Sequence, residues 1–271
     1  MQTQCLVDAK VEGTPHFVYT DHAGRVTATY PGHGARDLWP EAWLLREEAL
    51  LRRADRVFAM GEHVEHELRH TYGLRAVECV HGGPNVAPRR DEGQRALETY
   101  APPRILFVGR RWEMKGGPLL LDAFEAVRAR EPDARLAIAG CSPRVSRAGV
   151  DVLGLLSPAD LAREYRRATV FCLPTRAEPM GLAFVEAMAF RLPLVGPRLG
   201  SIPHFLRDGE TGFLYEPGDA AQLADRLVRL ARAPSLCKSL GDAGHDLAQR
   251  DYSWDVVAAR VAAGIRSVVA R

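Results

Sequence analysis

"TVFCLPTRAEPMGLAFVEAMAFRLPLVG" (residues 169–196) places two short apolar runs, TVFCLP and LPLVG, on either side of a longer segment with helical character. Apolar runs alternating with a helix form the pattern of a βα unit feeding a parallel sheet that is covered on both faces. The connecting loop carries Arg176 and Glu178, and Pro-Met-Gly then turns the chain into the helix. There Glu186 stands among Leu, Ala, Phe, Val and Met. A carboxylate in such surroundings is costly unless it is hydrogen-bonded, so the position demands either partners inside the fold or the hydroxyl groups of a ligand.

The same alternation extends in both directions. Strands are expected at 16–20, 56–60 and 76–80, with helices at 38–55 and 61–73 between and after them. From 81 to 103 the chain loses periodicity and gains Gly, Pro and charge, which marks a linker. Strands then recur at 104–109, 135–140, 150–154, 169–174, 192–196 and 212–217, with helices at 117–133, 156–168 and 181–191 and a helical tail. The fold class predicted is α/β, with two Rossmann-like doubly wound domains, the first truncated to a sheet of about three strands with an exposed edge. The expected boundaries are 1–88 for the partial first domain, 89–103 for the linker, 104–252 for the second domain and 253–271 for a C-terminal helix packing back toward the first. Ligands of such folds bind outside the carboxyl ends of the strands, at switch points and between domains.

Composition narrows the function classes. The 271 residues are 46% hydrophobic and 26% charged, and 36 basic against 34 acidic residues leave a net charge of +2. That mixture excludes disorder and offers no polyanion-binding stripe; Arg-rich stretches such as LLRRADR read as solvated helix faces, so nucleic acid is not expected as a partner. Cys5, Cys79, Cys141, Cys172 and Cys237 are scattered without a CxxC pair, which suggests neither a zinc pattern nor a disulfide framework and fits a reducing cytoplasm. Neither a signal-type segment nor a membrane-spanning run is read, although peripheral membrane contact and a homo- or hetero-oligomeric state stay open.

Two motifs carry the chemistry. In VGRRWEMKGG (108–117), a strand ends at Gly109, Arg110, Arg111 and Lys115 follow in a turn, and a Gly pair opens a helix. Cations beside a helix N-terminus suit a phosphate or pyrophosphate, and the spacing is not that of a Walker loop. In PTRAEPMGLAFVEAMA, Glu178 before the turn and Glu186 inside the helix are acceptor groups able to grip hydroxyl pairs. A solvated basic loop and an internally satisfied carboxylate are the structural alternatives. No GxGxxG follows a strand, which disfavours a dinucleotide-dependent oxidoreductase.

The segments FVGRRWEMKGG, GLLSPADLAREYRRATVFCLPTRAEPMGLAFVEAMA and YSWDVVAARV resemble the C-terminal domain of retaining GT-B glycosyltransferases. The family is the large family 4-like group that contains sucrose synthase, glycogen synthase and mannosyltransferases. HFVYTDHA, LLRRADRVFAMGEHV and VECVHGGPNV resemble the later part of that family's first domain, whose earliest strands and Gly-rich loop are not matched. The resemblance implies an acceptor-side first domain and a second domain that binds a UDP- or GDP-sugar, with no cofactor and no metal. It implies that Arg110 and Lys115, after Gly109, hold the donor pyrophosphate. Glu178 would bind the donor sugar with help from Met180, Gly181 and Leu182, Glu186 the ribose hydroxyls, and Leu155 would lie near the base. His22 would stand near the reacting carbon and the acceptor. Ser201 and His204 depart from the family pattern, which has Gly and often Glu there. The function implied is retaining transfer of a sugar to a hydroxyl; the alternative is a non-catalytic nucleotide-sugar-binding protein or a subunit completed by a partner.

Overall fold

The computed structural model describes residues 1–3, 8–89 and 91–270, so Cys5 lies outside the described residues. The chain forms two units. The first comprises Met1–Gly83, Ala177–Met180 and Asp251–Arg271, and the second Pro84–Arg176 and Gly181–Arg250.

The first unit is built on a parallel sheet of β1 (Gln2–Thr3), β2 (Phe17–Thr20), β3 (Arg56–Ala59) and β4 (Val77–Cys79), in that order. Helix α1 (Glu41–Arg53) connects β2 to β3, and α2 (Glu62–His70) connects β3 to β4. The expectation of about three strands is corrected here: Gln2 pairs with Val18 and Thr3 with Tyr19, adding a short edge strand. Sequence periodicity cannot report a strand of two residues. Val18, Val57, Phe58 and Ala59 are buried in the sheet, while Leu44 and Leu51 of α1 and Val64 and Leu68 of α2 are the buried apolar positions of their helices, at i, i+4 or i+7 spacing. Phe17, Tyr19, Phe58 and Val80 form a further cluster with Val257, against which Val261, Ile265 and Val268 pack. These last four belong to the C-terminal helix, Trp254–Val269.

The second unit contains β5 (Arg104–Val108), α3 (Gly117–Arg128), β6 (Arg135–Ala139), β7 (Val150–Gly154), α4 (Pro158–Arg167), β8 (Val170–Cys172), α5 (Leu182–Ala189), β9 (Leu194–Pro197), α6 (Ile202–Phe205), β10 (Gly212–Tyr215), α7 (Ala220–Ala231) and α8 (Pro234–Leu247). Its strands are all parallel in the order β10-β9-β8-β5-β6-β7. From β5 the chain winds outward through β6 to β7, then returns beside β5 with β8 and winds the other way. The β5–β8 pair is therefore the topological switch point, where the loops leaving the two strands diverge to make a crevice.

The opposite, amino ends of β5–β7 are closed by charge. Arg104 pairs with Asp151 at 3.1 Å and with Glu164 at 2.7 Å, and Arg135 also pairs with Asp151. A cavity of about 790 Å³ lies there, lined in part by these four residues, but their charges are spent on one another. It is assigned no ligand.

Candidate functional site

Both loops at the switch point end in a helix that begins at a left-handed glycine. Gly116, the N-cap of α3, has φ 75°, and Gly181, the N-cap of α5, has φ 85°. Neither helix has a side-chain cap or an acidic residue in its first turn. The contrast within the same unit is informative. Ser157 accepts from Asp160 N at the start of α4 and Asp219 from Gln222 N at the start of α7. Two helix N-termini thus keep their positive ends without the usual capping oxygen at the place where the topology opens a crevice.

The β5–α3 loop is pinned by Trp112, whose ring meets Phe107 edge-on at 5.2 Å and lies where a side chain on Gly117 would stand. Three short main-chain bonds, from Lys115 to Arg111, Gly116 to Glu113 and Gly117 to Trp112, coil the loop on itself. Lys115 Cγ would lie 3.1 Å from a Cβ built on Gly109, so the lysine stem crosses that glycine as the strand ends. Arg110 is exposed and Lys115 half-buried. The Arg176 amide donates to the Met114 carbonyl at 2.9 Å, which ties the loop after β8 to the loop after β5. Leu155, just past β7, is 73% exposed.

Glu186 is 6% exposed, and the fold supplies its partners. One oxygen accepts from the Tyr165 hydroxyl at 2.8 Å, and the other from the amides of Asn85 and Val86, each at 3.3 Å. Internal donors thus meet the demand set by the sequence. Burial still dominates, pushing the Glu186 carboxyl above its ordinary range against the lowering effect of those bonds. The Tyr165 hydroxyl, fully buried beside the carboxylate, is held well above its own ordinary value.

The remaining sequence candidates, His22, Glu178 and Met180, group with the first unit. Just past β2, the Thr20 hydroxyl donates to the His22 carbonyl at 2.5 Å, and the His22 ring Nε2 lies 3.1 Å from Thr27 Oγ1. The segment is anchored by a second buried carboxylate: Glu47 accepts from the Gly24 amide and the Tyr72 hydroxyl, both at 2.8 Å. His22 Nδ1, the Tyr30 hydroxyl and His33 Nδ1 are buried with no hydrogen-bond partner among the described residues. Burial lowers the His22 pKa, Asp21 opposes this and His63 adds to it, which favours the neutral ring. Glu178 is 8% exposed and adds its charge to the burial that raises the Tyr30 pKa. Met180 Cε would lie 3.0 Å from a Cβ on Gly82.

The structure thus brings Gly109, Arg110, Lys115, Gly181 and Leu182 to the two switch-point loops, Leu155 to the end of β7 and Glu186 to the interior of α5. Sequence reasoning missed Trp112, Tyr165 and the polar set of Tyr30, His33 and His63. An aromatic residue inside a basic loop was the available signal for the first. Tyr165 lies on another helix, and Tyr30, with His33 beside it, meets His63 only in the fold, 30 residues or more away along the chain.

The family model for glycosyl transferases group 1 matches residues 102–233, and that for family 4 glycosyltransferases in conflict systems matches 41–154. The chain is 37% identical over 199 residues to a phosphatidyl-myo-inositol mannosyltransferase of Mycobacterium leprae, covering 70% of this chain and 53% of that protein. It is 32% identical over 251 residues to a D-inositol 3-phosphate glycosyltransferase of Streptomyces bingchenggensis, covering 82% and 55%. The chain thus spans about half the length of these curated relatives. Among solved structures, sucrose-phosphate synthase from Thermosynechococcus elongatus aligns with a TM-score of 0.76 at 24% identity, over 94% of this chain and 68% of that one. Anabaena HepE in complex with UDP-glucose aligns with a TM-score of 0.72 at 15% identity, over 93% and 72%. Both likenesses show the two-domain GT-B architecture.

Proposed function

Because the chain belongs to the family 4, group 1 glycosyltransferases, we propose that it transfers a sugar from a nucleoside-diphosphate sugar to a hydroxyl of an acceptor, with retention of configuration. The observation that carries this reading is the pair of uncapped, glycine-started helices at the β5–β8 switch point with Arg110 and Lys115 in one of their loops. Two helix N-termini and two cations suit a diphosphate, whose charge rises as the sugar departs. Arg110 and Lys115 take the pyrophosphate, beside the main chain of Gly109. The amides of Gly181 and Leu182 support the donor, and Leu155 lies along the base. The cationic side chains and helix ends do the work that a divalent cation performs on the donor phosphates elsewhere.

Glu186 reaches the ribose hydroxyls only through lone pairs left over from its three internal bonds, a capacity that a carboxylate retains. In the first unit, Glu178 and the main chain at Met180 are assigned to the donor sugar and His22 to the acceptor side. A neutral His22 can accept a proton or a hydrogen bond from a hydroxyl. The inositol-bearing acceptors in the names of both relatives make a polyol the first acceptor class to test.

Calorimetric titration with UDP and GDP, wild type beside Lys115→Ala, tests the donor site. A charge-assisted hydrogen bond contributes about 1.5–3 kcal/mol, so the variant is expected to bind about 10- to 150-fold more weakly. Equal binding by the two proteins sinks the assignment. Nucleotide binding with neither transfer to inositol-type acceptors nor donor hydrolysis favours the non-catalytic alternative.

A further inference from the structure

In the first unit the fold gathers three side chains that the sequence keeps apart. Glu62 opens α2, Cys79 closes β4 and His81 follows two residues later. One ligand atom from each lies within 4.8 Å of the other two. Cys79 Sγ is 3.5 Å from His81 Nδ1, and His81 Nε2 is 3.8 Å from Glu62 Oε1. All three residues are half-buried.

The imidazole is fixed in place by its own backbone. His81 has φ 65°, in the left-handed region that is uncommon for a residue with a Cβ, and its surroundings support it there. Tyr19 does so by donating its hydroxyl to the His81 carbonyl at 2.7 Å, and the Tyr252 ring packs on the imidazole at 4.5 Å between centroids. Tyr19, Tyr252 and the trio all belong to the first unit.

A thiolate, an imidazole and a carboxylate make a borderline-soft donor set that selects Zn²⁺-like ions over Mg²⁺ or Ca²⁺, with a fourth position for water. Tetrahedral bonds of about 2.0–2.3 Å imply ligand–ligand edges of about 3.3–3.8 Å. One ion takes one ring nitrogen, so only one of the 3.5 and 3.8 Å separations can already serve as such an edge. Bringing the third atom from within 4.8 Å to such an edge needs a shift of about 1 Å. Rotation of the flexible Glu62 side chain supplies it.

We propose that Glu62, Cys79 and His81 form a site for Zn²⁺ or a similarly thiophilic divalent cation, which ties the first turn of α2 to the end of β4. As the sulfur–metal bond forms the thiol proton leaves to solvent, and the ion keeps its oxidation state, so no redox partner is needed. The ion braces this unit and has no part in the transfer chemistry; the proposal stands whether or not the donor assignment above holds.

The test uses the full chain, stripped with a chelator, kept reduced and titrated with Co²⁺ while the thiolate-to-cobalt absorption is followed. One equivalent should bind with that absorption, and Zn²⁺ should displace it. Cys79→Ser should abolish the band, His81→Ala should weaken Zn²⁺ binding at least tenfold, and Cys141→Ser should change nothing. Absence of the band, its survival in Cys79→Ser, or indifference to His81→Ala overturns the proposal. A second reading needs no variant: Zn²⁺ should slow alkylation of Cys79 in the wild-type chain, followed by peptide mass. A rate unaffected by zinc is equally fatal.

Discussion

A Gly116→Ala variant is expected to lose about 4 kcal/mol of stability in the second unit and, with it, nucleotide binding. Two effects add at this position. The left-handed conformation, φ 75°, disfavours any residue with a Cβ by about 1–2 kcal/mol. The added carbon would also lie 1.8 Å from the Pro174 carbonyl oxygen, an overlap with main chain at the end of β8 that no side-chain rotation relieves. Either the β5–α3 loop or the end of β8 has to move, and both shape the switch point. Gly181→Ala serves as the internal comparison, because its Cβ would meet the Phe205 ring at 2.6 Å, a side chain that can yield. The expected loss there is smaller, about 2 kcal/mol. Denaturant titration of both variants, with UDP binding measured on each, checks the ranking. A Gly116→Ala protein within about 1 kcal/mol of wild type would mean that this turn does not constrain the loop.

Glu186→Ala is expected to destabilise by a few kcal/mol, about 1–3 for each polar group left unsatisfied, whereas Glu186→Gln should gain on wild type as pH rises above the ordinary carboxyl range. Alanine leaves the fully buried Tyr165 hydroxyl only its 3.4 Å contact with the Ala183 carbonyl and strands the buried Val86 amide, an unsatisfied group of this kind costing about 1–3 kcal/mol. Glutamine keeps an acceptor for the amides and removes the charge that burial opposes. The sign of the pH dependence follows from the raised Glu186 pKa. Between the ordinary carboxyl pKa and the raised one, the folded state holds more protons than the unfolded state. Wild-type stability from this group is therefore complete at low pH and falls as pH rises through the raised value. The stability of Glu186→Gln relative to wild type should grow across that window. A difference flat from pH 4 to 8 would show that the carboxyl titrates normally. UDP binding separates the two roles of the residue, since a ribose contact predicts weaker binding in Glu186→Gln although its fold is intact.

The second unit was legible because strands covered on both faces are written as unbroken apolar runs, and RILFV, RLAIA and VFC left little choice. Strand β1 was not, since two residues are too few to carry a pattern. The stretch 81–103 lacks periodicity for a different reason: it packs through isolated contacts. Val86 and Tyr100 are buried, the Tyr100 hydroxyl donates to the Arg191 carbonyl at 2.6 Å, and the Asn85 and Val86 amides serve Glu186. Single anchors of that kind have no repeat to read. In the candidate site, which residue follows which strand could be read from order along the chain. What satisfies Glu186 could not, because Tyr165 sits on another helix, and the Glu62, Cys79 and His81 trio is assembled from three elements whose spacing matches no known ligand motif.

The cluster of Phe17, Tyr19, Phe58 and Val80 has a consequence for synthesis. Its cover, Val257 to Val268, is among the last segments of this sequence to leave the ribosome, and Gly264 admits Phe58 so closely that a Cβ there would lie 2.5 Å from the ring. Domains ordinarily fold in the order in which they emerge. Here the sheet must wait for a later segment: its apolar face stays uncovered while residues 84–250 are made and can fold. Removal of Trp254–Val269 would leave that wait without an end.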